Sequence, residues 1–113
     1  MSQTYDTIII GAGIMGCSTA LELAKRGLRV ALLEKDSIGA GPTAKSSAII
    51  RQHYSNDLTA RMARYSLHIF QNFREMIGDE CGFTKTGFVV MVPEKDREGL
   101  QANLALQRRV GIQ

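Results

Sequence analysis

Cysteine and histidine are scarce in this chain: its 113 residues hold two of each. Cys17 and Cys81 lie far apart, in no metal-like spacing. That excludes a disulfide framework and a zinc module, and two reduced, buried thiols are expected. His53 and His68 are too few for a metal cluster or a Ser-His-Asp set, so no metal is expected. No apolar run nears the ~18 residues a membrane-crossing helix needs. The start, Met1 to Asp6, has no basic segment, and Ile8-Ile9-Ile10 is too short for a secretory leader. A cytoplasmic location is therefore expected. No basic run is interleaved with aromatics, so nucleic-acid binding is not expected. The net charge of +3 suits an anionic ligand or simple solubility. Repeats and low-complexity tracts are also missing.

What remains is an ordinary globular composition, 44% apolar and 22% charged. The length fits one small domain and is too short for a complete two-domain enzyme. Asp6 to Ile10 is a run of β-branched residues closed by glycine, and reads as a buried parallel strand. From Ala12 to Arg26 the apolar positions Ile14, Cys17, Leu21 and Ala24 take helical spacing, and Gly27 supplies a stop. Arg29 to Leu33 is a second strand. Strand, helix and strand within about thirty residues form the βαβ unit of a parallel sheet. Ser37 to Ser47 reads either as a linker or as an ordered phosphate-contacting loop. Asn56 to Ile77 predicts one long helix, capped by Ser55 or Asn56 and ended by Gly78, with its Phe and Met residues in a core. Phe88 to Val92 predicts a strand, and Asp96 to Val110 a further helix.

The chemistry centres on Gly11-Ala12-Gly13-Ile14-Met15-Gly16. In such a motif the first glycine permits the tight turn from strand to helix. The second admits a pyrophosphate close to the backbone, and the third lets helix pack on strand. The helix N-terminus then presents free N–H groups and a positive dipole end to the phosphates. Glu34 closes the second strand at the spacing expected of a ribose-binding carboxylate, which also repels a 2′-phosphate. Together these features predict a dinucleotide grip. A second constellation runs from Gly41 to Tyr54. Ser46 and Ser47 there are either hydroxyl donors to a diphosphate or a capping pair. Arg51 is either a bidentate clamp for a carboxylate or a surface arginine. His53 stands beside it as a candidate active-site group. His68, inside the long helix, reads as a packing or surface residue.

The two motifs together resemble the N-terminal part of the D-amino-acid-oxidase-type FAD-dependent oxidoreductases, nearest the branch of sarcosine and dimethylglycine oxidases. The likeness rests on Tyr5 to Gly13, Glu34-Lys35, and Ser46-Ser47-Ala48-Ile49-Ile50-Arg51 with Tyr54. It covers essentially the whole chain and is most specific through Tyr54. The resemblance implies an α/β fold: the first βαβ of a Rossmann-type FAD domain at residues 1–80, then the start of an α+β substrate domain at 81–113. It implies that Gly11, Gly13, Ile14, Met15, Gly16, Glu34 and Lys35 hold the ADP half of FAD. Thr43, Ser46 and Ser47 would approach the pyrophosphate or flavin, and Arg51 would bind a substrate carboxylate. The implied reaction oxidises the C–N bond of a small amine or amino acid by hydride transfer to flavin. Some relatives attach flavin covalently through a histidine of this loop. Lys45 stands at that position here, which argues against that route. Family members are several times longer, so the chain is expected to be one part of a longer flavoprotein, inactive alone and needing the remainder or another copy. Two alternatives compete: a binding or assembly module docking through an exposed sheet edge, and part of an NAD-binding dehydrogenase.

Overall fold

The computed structural model describes residues 3–113. The element order is β1 (Thr7–Ile10), α1 (Ile14–Lys25), β2 (Val30–Leu33), α2 (Asp57–Gln71), α3 (Phe73–Ile77), a 3-10 turn (Glu94–Asp96) and α4 (Arg97–Arg109). The chain divides into two compact units at Ile49/Ile50.

In the first unit β1 and β2 pair in parallel, with Thr7 opposite Val30 and Ile10 opposite Leu33. Three consecutive isoleucines favour the extended backbone, and α1 supplies the crossover that parallel strands need. A charged pair sets the register at the sheet's start. Asp6 Oδ2 accepts from Arg29 N–H at 2.8 Å, and the Asp6 N–H donates to Arg29 O at 2.9 Å. The Arg29 backbone N–H, with the Arg29 guanidinium, holds the Asp6 carboxyl below its usual range. At the other end of the crossover, Leu28 N–H donates to Leu23 O and Gly27 N–H to Ala24 O, which closes α1 where the glycine predicts.

The expected burial of β1 is not realised. Ile8 is 62% exposed and Ile10 87% exposed, because the sheet has only two strands among the described residues. A parallel strand is buried on both faces only when layers cover both.

In the second unit Asn56, not Ser55, caps α2: its side chain accepts from Thr59 N–H at 3.2 Å. The predicted long helix is broken at Asn72. There the side-chain amide donates to His68 O at 2.8 Å, so a side chain competes for a carbonyl of the helix ladder. Gly78 ends α3 in the left-handed conformation. A small core joins Ala60, Val110 and Ile112, with Tyr54 and Leu106 packed against it. Ala60 has no exposed surface; its single methyl lets the backbone segments approach closely. The apolar stripe of α2 lies elsewhere. Leu58, Met62 and Tyr65 are about 60% exposed or more, contrary to the predicted core role of the methionine. Of the Phe and Met residues assigned to that core, Phe70, Phe73 and Met76 are half-buried.

Two other expectations are corrected. Phe88 to Val92 forms no strand: no ladder partner lies beside it among the described residues, and Val89 and Met91 are both more than 80% exposed. The thiols are free as expected, but Cys81 is exposed and Cys17 only half-buried. His68 is exposed, as one of its two predicted settings allowed.

Candidate functional site

The turn from β1 into α1 is a backbone construction. Gly11 has φ +101°, a conformation that side chains disfavour, and its N–H donates to Leu33 O at 2.7 Å. A Cβ on Gly16 would lie 1.9 Å from Gly11 O, so the third glycine is required by the close crossing of helix and turn. The sequence motif thus corresponds to two separate steric demands.

Glu34 turns back onto this loop. Its Oε2 accepts from Ala12 N–H at 2.7 Å, and its Oε1 accepts from Lys35 N–H at 2.8 Å and Asp36 N–H at 3.1 Å. These backbone donors, Ala12 foremost, hold the carboxyl below its ordinary value of 4.5. A carboxylate offers about four acceptor positions. With three occupied, Oε2 retains capacity for a further donor such as a ribose hydroxyl.

The segment 37–47 is an ordered loop, not a linker. Gly39 N–H donates to Ala12 O at 2.9 Å, and Ala44 N–H to Gly39 O at 3.0 Å. This folding brings Thr43 to the glycine turn, where its Oγ1 accepts from Ile14 N–H at 3.0 Å. Gly11, Ala12, Gly13, Ile14, Gly16, Glu34 and Thr43 therefore form one cluster. Ala12, which sequence reasoning passed over, is its one buried residue and supplies two of the bonds. Met15 projects outward, 76% exposed. Lys35 is exposed beside Glu34 and favours its charged form. Ser46 Oγ accepts from Ala48 N–H at 3.1 Å in a local turn that starts no helix, and Ser47 is exposed.

Arg51 and His53 belong to the second unit. Both line an open cavity of about 460 Å³, together with Phe83, Phe88, Leu104 and Gln107. The Arg51 guanidinium stands 5.6 Å from the centroid of the Tyr54 ring, a cation–π arrangement that orients it. Gln107, only 5% exposed, donates through Nε2 to Tyr54 O and to His53 Nδ1, each at 3.1 Å. The Gln107 amide thus anchors the His53 ring at the cavity wall. Gln107 was missed from sequence, where it reads as one more residue along an amphipathic helix. No group of three or more His, Cys, Asp or Glu residues is placed to hold a metal among the described residues.

The fold and the glycine cluster define a dinucleotide-binding α/β protein. The chain belongs to the FAD-dependent oxidoreductase family DAO, whose model matches residues 6–113. FAD, not NAD, is that family's cofactor. The chain is 35% identical over 108 residues to human peroxisomal sarcosine oxidase, covering 92% of itself and 27% of that protein. It is 37% identical over 97 residues to a glycerol 3-phosphate dehydrogenase of Caloramator mitchellensis, covering 81% of itself and 20% of the relative. The crystal structure of L-proline dehydrogenase from P. horikoshii matches with a TM-score of 0.86 at 28% identity, over 98% of this chain and 29% of that one. The chain thus spans less than a third of each of these relatives. No helix among the described residues is long and apolar enough to cross a membrane.

The cluster fits the ADP half of FAD. A side chain at Gly13 would crowd the Thr43 hydroxyl 3.0 Å away, the Ile14 N–H of the first helical turn lies beside it, and the ionised Glu34 carboxylate is held on the same loop.

Proposed function

We propose that this chain forms the cofactor-gripping part of an oxidoreductase that oxidises the C–N bond of a small amine or amino acid. Gly11, Gly13, Ile14, Met15, Gly16, Glu34 and Lys35 would hold the ADP half of FAD; Thr43, Ser46 and Ser47 would approach its pyrophosphate or flavin side. In this reading residues 1–80 belong to the FAD domain, and 81–113 open the substrate domain. When bound, FAD supplies the two-electron acceptor for hydride removal from the carbon next to nitrogen. Arg51, held against Tyr54 at the cavity wall, orients the substrate carboxylate. His53 contributes a polar ring to the cavity wall, and Phe83 and Phe88 supply apolar wall. The observation that carries the reading is Arg51 on a cavity wall in a chain similar to sarcosine oxidase and L-proline dehydrogenase.

The similarity to a glycerol 3-phosphate dehydrogenase supports a second reading, in which the same guanidinium holds a phosphate and a C–O bond is oxidised. Anaerobic titration of the full-length flavoprotein separates the two. Bleaching of the flavin absorbance by sarcosine, glycine or proline supports amine oxidation; bleaching by glycerol 3-phosphate alone replaces it with the second reading. A colourless protein that takes up no FAD would sink both.

A further inference from the structure

Gln107, on α4, is the one buried polar side chain among the described residues. Its neighbours Leu106 and Val110 belong to the core around Ala60. A leucine or methionine at 107 would serve that packing without the cost of burying an amide. The amide reaches instead to the segment that carries Arg51. Its Nε2 donates to Tyr54 O and lies 3.1 Å from His53 Nδ1. Arg51 to Tyr54 lies outside every helix and strand of the described residues. Two contacts therefore place Tyr54: its packing against Ala60, Val110 and Ile112, and the hydrogen bond that its carbonyl accepts from Gln107. The Tyr54 ring is in turn the surface over which the Arg51 guanidinium lies, 5.6 Å from the centroid.

We propose that Gln107 is the positioning residue of the substrate clamp. By tying the Tyr54 carbonyl and the His53 ring to α4, it holds the Tyr54 ring beside Arg51, and the guanidinium meets a substrate carboxylate already oriented. Arg51 is exposed, and a free arginine side chain loses much rotamer entropy when it binds. A fixed aromatic face restricts it beforehand, and the saving appears as ligand affinity. Gln107 acts through Tyr54 and Arg51, not by its own contact with substrate. Its effect is therefore confined to the step in which the carboxylate is held.

This inference rests on the reading of Arg51 as a carboxylate clamp, and a double-mutant cycle tests each separately. The full-length flavoprotein is prepared as wild type, Arg51→Met, Gln107→Met and the double variant. Each is mixed anaerobically with whichever of sarcosine, glycine and proline bleaches the wild-type flavin. The dependence of the bleaching rate on amine concentration gives a Kd and a limiting rate. Gln107→Met is expected to raise Kd by about three- to tenfold, the worth of one hydrogen bond, with the limiting rate within about twofold. Arg51→Met should raise Kd by more, and the double variant should match Arg51→Met, because nothing is then left to position. Additive losses in the double variant overturn the inference and make Gln107 a packing residue. An unchanged Kd for Gln107→Met overturns it as well, as does a loss confined to the limiting rate. Should Gln107→Met not fold, Gln107→Asn takes its place with the same expectations, since it keeps a buried amide but falls one methylene short of Tyr54 O. An Arg51→Met variant that binds the amine as wild type does refutes the clamp itself, and bleaching by none of the three amines refutes both.

Discussion

The two units reach order by different means. In residues 3–49 one residue, Ala12, is buried, and the structure is held by hydrogen bonds that cross 22 to 29 positions: Ala12 to Glu34, Asp6 to Arg29, Ile14 to Thr43. In residues 50–113 the order comes from helices and a small apolar core around Ala60, Val110 and Ile112. The first unit is a backbone device, in which the absence of side chains at Gly13 and Gly16 matters as much as any side chain present. The second is a packing device. The difference predicts that the first fails when atoms are added at the turn, and the second when its core or caps are altered.

The largest effect is expected from Gly16→Ala. The new methyl would meet Gly11 O at 1.9 Å, a backbone atom that cannot rotate away. A loss of roughly 3 kcal/mol and release of bound FAD are expected, read by thermal melting and by flavin retained on desalting. If Gly16→Ala melts as wild type, the claim that geometry rules the first unit is broken. Ala60→Leu tests the second unit in the same way. Overpacking the site against Val110 and Ile112 should cost about 1–3 kcal/mol in chemical denaturation while leaving FAD affinity within twofold. Asn56→Ala removes the α2 cap and should cost about 1 kcal/mol, measured by the same denaturation curve.

Glu34→Gln sharpens the comparison through pH. The folded carboxyl titrates below its ordinary value of 4.5, so its contribution is complete above that pH. As pH falls the unfolded chain takes the proton first, and the contribution is lost through the folded value. The Tm gap between wild type and Glu34→Gln, about 1–2 °C, should stay flat from pH 8 to pH 5 and close below about 4.5. The smallest effect belongs to the exposed pair of Arg74 and Glu80. Glu80→Gln should shift stability by less than about 0.5 kcal/mol.

The first unit was largely legible in the sequence because its rules are local. β-branched runs make strands, glycines at fixed offsets make a strand-to-helix turn, and Gly27 ends a helix. Family resemblance makes Thr43 a candidate cofactor contact, but its bond to Ile14 N–H was not legible, since nothing local joins positions 14 and 43. The same holds for Asp6 with Arg29. In the second unit the cap at Asn56 and the stop at Gly78 were legible. The break at Asn72 was not, because asparagine interrupts a helix only when its amide finds a carbonyl. Leu58, Met62 and Tyr65 show the other limit. Periodicity says which residues share a helix face, whereas burial depends on what lies opposite.

The two-strand sheet carries one more consequence, for making the protein. Ile8 and Ile10 of β1 and Leu33 of β2 leave apolar surface open to water, and unpaired strand edges template association with other chains. A preparation in which this surface stays uncovered will be prone to clump. Chaperone supply and growth temperature should therefore govern soluble yield more strongly than cofactor supply.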